Sequence, residues 1–143
     1  MDAFDAEVLI YAATPGHALG ARVAALFPAA GDADPTGIGS VLLLPEVLTR
    51  PTRDKTEDEL AALYGLLARL DLLPVDQAVA DLSVVLGAAY KLRAADAVHV
   101  ATAVNAGADR FITNNTKDFH RDINEIDITH PEDLPPPGRE PRD

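Results

Sequence analysis

The chain of 143 residues is predicted to be a single α/β domain built on a mostly parallel sheet. Three observations predict this. Short apolar runs alternate with longer stretches in which apolar residues recur at helical spacing. The length suits one domain with a substantial core. The hydrophobic fraction of 48% and a mean hydropathy near zero read as soluble and globular, with no internal repeat.

Met1 to Asp5 reads as a short strand ending in Asp5. Ala6 to Ala13 follows with no turn residue and stops before Thr14-Pro15-Gly16, so a helix starts at once. Open α/β sheets place ligand residues at strand carboxyl ends, and Asp also favours helix N-caps; both readings apply to Asp5. Leu19, Val23, Leu26 and Phe27 predict an amphipathic helix over His17 to Phe27. Pro28 to Gly37 is a loop, and Thr36 to Gly39 a short strand. Ser40 to Leu48 is the most apolar run, with Ser40 a candidate N-cap and Pro45 expected to kink or shorten the helix. Glu46 lies inside this run, facing either water or a site.

Arg50 to Lys55 reads as a polar, partly basic loop. Thr56 and Glu59 form a capping box before a helix striped with Leu60, Leu63, Leu67 and Leu70. Asp71 to Val75 is a short strand or extended link. Asp76 caps a long helix to about Leu92. The next helix opens with Ala94-Ala95-Asp96 and closes at Gly107, a favoured residue just past a helix end. Arg110 to Thr113 is a strand, Asn114 to Phe119 a polar loop at its carboxyl end, and Ile126 to Ile128 the last strand. Pro131 to Asp143, with Pro135-Pro136-Pro137-Gly138, reads as a disordered tail, which puts the domain at residues 1–130.

The formal net charge of −11 argues against a protein that coats nucleic acid through a basic face, but not against a nuclease whose acids hold cations. Most surface carboxylates are expected simply to keep the chain soluble. With no cysteine there is no disulfide, thiolate zinc site or thiol nucleophile. The acidic start lacks a signal-peptide pattern, no apolar run is long enough for a membrane span, and a reducing, cytoplasmic setting is expected.

Asp5, Glu46, Asp96 and, less directly, Asp118 stand in apolar helical settings or after strands. A buried carboxylate must be solvated, paired or bound to a cation. For Asp96 the nearby partners are Arg93 or a metal. Acids gathered at one sheet edge cannot all ionise without cations. Mg²⁺ or Mn²⁺ suits such oxygen ligands, and can activate water against a phosphodiester. His99, three residues after Asp96, could face the same side, but reads better as a packing histidine. Arg50, Arg53 and Lys55, Lys91 and Arg93, and Lys117 and Arg121 flank the acids and would suit RNA backbone, or would be ordinary solvated charges.

The motifs themselves resemble the PIN-domain nucleases. Asp5-Ala6-Glu7-Val8-Leu9 resembles that family's D-x-x-V-L opening. Ser40 and Glu46 resemble its Ser followed six positions later by an acid. Leu92 to Ala103 resembles its third-acid motif, and Phe111 to Phe119 its closing loop. The resemblance covers about the first 130 residues, and the size looks most like VapC-type toxins. It implies a three-layer α/β/α fold with four to five short strands. It also implies a Mg²⁺- or Mn²⁺-dependent endoribonuclease, held in check by an antitoxin protein and homodimeric. By position, Asp5, Glu46 and Asp96 match the three core metal-binding acids. Asn115 stands where the simpler T-x-D loop has its Asp, with Asp118 three residues on, so either completes the site. Arg93, Thr113 and Ser40 are candidate substrate contacts. A non-catalytic PIN-like binding module is the alternative, and a phospho-acceptor receiver domain fits the acids less well.

Overall fold

The computed structural model describes residues 1–28 and 34–138. Five strands, β1 (Asp2–Phe4), β2 (Gly37–Ser40), β3 (Leu70–Leu73), β4 (Arg110–Ile112) and β5 (Asp127–Thr129), form one sheet in the order β3-β2-β1-β4-β5. Every neighbouring pair is parallel, with Ala3 opposite Ile38 on one side of β1 and Phe111 on the other. The helices are α1 (Ala6–Ala12), α2 (Ala18–Ala24), α3 (Leu43–Asp54), α4 (Glu57–Leu67), α5 (Gln77–Tyr90) and α6 (Ala94–Asn105). The expected α/β class, parallel sheet and strand number are those observed.

Alternation along the strands builds two cores. Phe4 and Ile112 point to one face, where Val8, Leu9, Val23, Leu43, Val47 and Leu63 from α1 to α4 cover them. Ala3, Ile38, Phe111 and Ile128 point to the other, covered by Val79, Leu86, Val100 and Ala101 from α5 and α6. Successive residues of a strand face opposite sides, so a sheet buried on both faces reads as a continuous apolar run. The result is the three-layer arrangement. From β1 the chain steps outward through β2 and β3, then returns across the sheet to β4 and β5. The order reverses between β1 and β4. The carboxyl ends of those strands therefore open a crevice, the usual ligand position of such sheets.

Local expectations met the structure unevenly. His17 and Asp76 cap α2 and α5, accepting the N–H groups of Gly20 and Val79 at 3.0 Å each. Ser40 is not an N-cap: it ends β2, and its Oγ accepts the Leu42 N–H at 3.1 Å one residue before α3 begins. Pro45 falls in the first turn of α3, where a missing N–H costs little, and the helix continues. The predicted loop Arg50 to Lys55 is instead the last turn and a half of α3 and its left-handed cap, Lys55. Its polar residues are the exposed face of a helix whose Val47, Leu48 and Pro51 are buried. Thr56 does begin α4, but its hydroxyl donates to Glu59 Oε2 at 3.2 Å and to the Pro51 carbonyl at 3.4 Å, and caps no N–H of α4. The ordered body also runs past the boundary drawn at residue 130. Pro131–Asp133 form a 3-10 turn, Leu134 is buried, and Arg22 donates to the Leu134 carbonyl at 2.9 Å. Among the described residues no helix is long and apolar enough to cross a membrane.

Candidate functional site

Asp5 sits where β1 becomes α1, and its backbone N–H donates to the Ile112 carbonyl of β4 at 2.9 Å. That bond sews the two strands together at the crevice. Its side chain caps α1, accepting the Ala6 N–H on Oδ1 at 2.9 Å, and takes the Thr113 hydroxyl on Oδ2 at 2.7 Å. The cap reading is thus realised, by the same carboxylate that stands at the carboxyl end of β1. Burial raises its pKa, against the lowering effect of His99, the Thr113 and Ala6 hydrogen bonds. Two hydrogen bonds do not offset the loss of water.

Asp96 lies in the first turn of α6, half-buried, where the helix dipole favours an anion. Its pKa is nevertheless raised, first by burial and then by the charges of Asp5, Asp118 and Glu46. Asp96 thus feels Asp5, Asp118 and Glu46 as like charges. Arg93 does not neutralise it: Arg93 is exposed, and makes no ion pair among the described residues. Glu46, in the first turn of α3, faces the same region with its side chain 38% exposed.

His99, read from the sequence as a packing histidine, is buried and also has a polar tie. Its side chain is 1% exposed and its Nε2 hydrogen-bonds the Glu46 carboxylate, which joins α6 to α3 across the end of β1. Burial alone would lower its pKa, but the hydrogen bond its ring donates to Glu46 and the charges of Asp5, Glu46 and Asp96 raise it. The signal was its spacing, one helical turn from Asp96 and hence on the same face.

The closing loop is organised by Thr113. Its buried Oγ1 donates to Asp5 and accepts the Asn115 N–H at 3.1 Å. The hydroxyl is therefore committed to Asp5 rather than turned to a substrate. Asn115 and Asp118 hold each other: Asn115 Nδ2 donates to Asp118 Oδ2 at 3.0 Å, and the Asp118 N–H donates to Asn115 Oδ1 at 3.2 Å. Of the two, only Asp118 acts on Asp96 as a charge. Ser40 is buried and bonded to the backbone of Leu42.

The basic rim is partial. Arg50 pairs with Glu59, Arg53 with Asp54 and Arg121 with Asp133, which spends their charge. Lys91 lines a small cavity of about 180 Å³ with Tyr90, Asp118 and His120, and Asp118 is the one candidate acid among its lining residues. A larger cavity of about 620 Å³, between the end of α1 and the start of α4, contains none of the candidate acids.

The donor set fits a divalent cation in chemistry: mutually repelling oxygen ligands, one buried and the others partly so, are relieved by positive charge. Among the described residues no three His, Cys, Asp or Glu groups already converge closely enough to coordinate one ion. Asp5 hydrogen-bonds Thr113 and Ala6, and Glu46 hydrogen-bonds His99.

No curated protein matches. The chain is similar to a solved "Toxin-antitoxin complex from Klebsiella pneumoniae", with a TM-score of 0.72 and 27% identity over 92% of this chain and 98% of that one. The PIN domain matches residues 3–124, nearly all of the sheet and every motif of the crevice. With the acids at the β1/β4 reversal and the family's profile running through all of them, the chain belongs to the PIN-domain family.

Proposed function

We propose that this chain is a Mg²⁺- or Mn²⁺-dependent endoribonuclease, the VapC-type toxin of a toxin–antitoxin pair. The observation that carries the reading is the placement of Asp5 at the end of β1, where the strand order reverses, with Glu46 of α3 tied through His99 to α6, the helix whose first turn holds Asp96. PIN-family membership supports a nuclease, and the likeness to a toxin–antitoxin complex supports an antitoxin partner. Homodimerisation belongs to the same reading through the family resemblance.

Asp5, Glu46 and Asp96 would hold the cation, with Asp118 rather than Asn115 as the fourth acid. The bound metal would supply a hydroxide-like nucleophile and offset charge on the phosphodiester. The chain's own groups supply orientation. Thr113 fixes the Asp5 carboxylate, and the α6 N-terminus favours the Asp96 anion. Lys91 and Arg93, exposed beside the acids, would contact phosphate, drawing RNA to an otherwise acidic protein.

The test is RNA cleavage with Mn²⁺ by purified Asp5→Asn and Asp96→Asn proteins. Loss of cleavage in both, with retained folding, is expected; full activity in either overturns the assignment. The mutual engagement of Asn115 and Asp118 favours a second reading, a PIN-like binding module without catalysis. Calorimetric titration separates the two, since that module would bind no Mn²⁺ at millimolar concentration.

A further inference from the structure

His99 and Glu46 form the one side-chain hydrogen bond between helices α3 and α6 among the described residues. Their settings are unequal. Glu46 is 38% exposed on a long, freely rotating side chain, whereas the imidazole is 1% exposed inside α6. Left alone, Glu46 would sample several rotamers and lose that freedom on binding a ligand. The rigid partner selects the rotamer of the mobile one.

The second ring nitrogen sharpens this. His99 Nδ1 is buried without a hydrogen-bond partner. A buried polar atom left unpaired costs stability, so packing alone would be better served by a leucine at this position. The imidazole has a single polar tie, and that tie is to a candidate metal-binding carboxylate. Glu46 Oε1 takes it, while Oε2 makes no hydrogen bond to any described residue.

The geometry points to His99 as a positioning residue that holds Glu46 Oε1 and presents Oε2 to the divalent cation. This rests on the metal-dependent reading given under Proposed function. It assigns His99 no contact with metal or RNA. Its whole effect passes through Glu46.

The experiment is a double-mutant cycle read by calorimetric titration with Mn²⁺ alone, on the full chain: wild type, His99→Leu, Glu46→Ala and the double variant. His99→Leu is expected to weaken Mn²⁺ binding ~10-fold, with the thermal midpoint unchanged or higher. Added to Glu46→Ala, it should change Mn²⁺ affinity by less than about twofold. Equal weakening in both backgrounds, or none in either, overturns the proposal. His99→Gln retains an N–H donor of similar reach and should restore most of the affinity, while His99→Asn is too short. Equal Mn²⁺ affinity in those two variants overturns the proposal even if His99→Leu does not fold. In RNA cleavage, His99→Leu should lower kcat about 10- to 100-fold with KM for RNA unchanged. A wild type that shows the coupling but cleaves no RNA refutes the ribonuclease reading and leaves the positioning role standing. A wild type that cleaves RNA with additive variants refutes the positioning role alone.

Discussion

Asp96 makes no side-chain hydrogen bond among the described residues, yet burial and three neighbouring acids raise its pKa. Ionised, it works against the metal-free fold. An Asn of the same shape removes the charge and keeps the volume. Asp96→Asn is therefore expected to raise the thermal midpoint of the metal-free protein by about 3 °C, after allowing for the screening of its exposed half. Scanning calorimetry in chelator checks this, and a lower midpoint would show that His99 already compensates the charge. Thr113 behaves oppositely. Its hydroxyl serves Asp5 and the Asn115 N–H inside a fully buried site. Thr113→Val keeps the shape and strands both partners, so a loss of about 2 kcal/mol is expected in denaturant unfolding. RNA cleavage should fall with it because Asp5 is no longer held.

Between elements, α2 packs tightly against α1 at Gly20. A Cβ built on Gly20 would lie 1.9 Å from the Tyr11 carbonyl oxygen, and this neighbour is backbone that cannot rotate away. Gly20→Ala should therefore separate the two helices and cost about 3 kcal/mol or more, measured by denaturant unfolding. The sequence showed the helix around Gly20 but not this contact, which no local pattern encodes. Other elements divide the same way. β1, Asp5 and α1 were legible because a strand-to-helix junction with no turn residue leaves a single arrangement. The Asp96 helix was legible from its small apolar run and Gly107. The end of α3 was not: Pro51 and a polar run signal a loop, and only burial of Val47, Leu48 and Pro51 against the core overrides them. Asp5, Glu46 and Asp96 could be named from sequence. The partnership of His99 with Glu46, 53 residues apart, arises only when α3 and α6 meet.

Charge distribution across the molecule sets how stability responds to pH. Asp5 and Asp96 have raised pKa values in the fold, so what they contribute is present below the ordinary carboxylate range and is lost as pH climbs through their folded values. The pKa of His99 is also raised, so its contribution is full below the ordinary histidine value and is lost as pH rises past the folded one. Asp109 and Asp133 are shifted down, and their stabilising effect is already complete well below neutrality. The formal net charge of −11 adds self-repulsion that does not relax at higher pH. His99 and the self-repulsion act in one direction between about pH 6 and pH 9, above the ordinary histidine value, and the two raised carboxyls, once ionised, act in the same direction. The metal-free protein should lose thermal stability steadily over that interval, and Asp96→Asn should flatten the slope by removing one of the repelling charges. Mg²⁺ should stabilise the wild type more at the alkaline end, where the acids are fully ionised and His99 no longer offsets them. Thermal midpoints measured across the interval, with chelator and with Mg²⁺, decide the matter. A midpoint that rises with pH in chelator would mean that the crevice acids are solvated rather than crowded together.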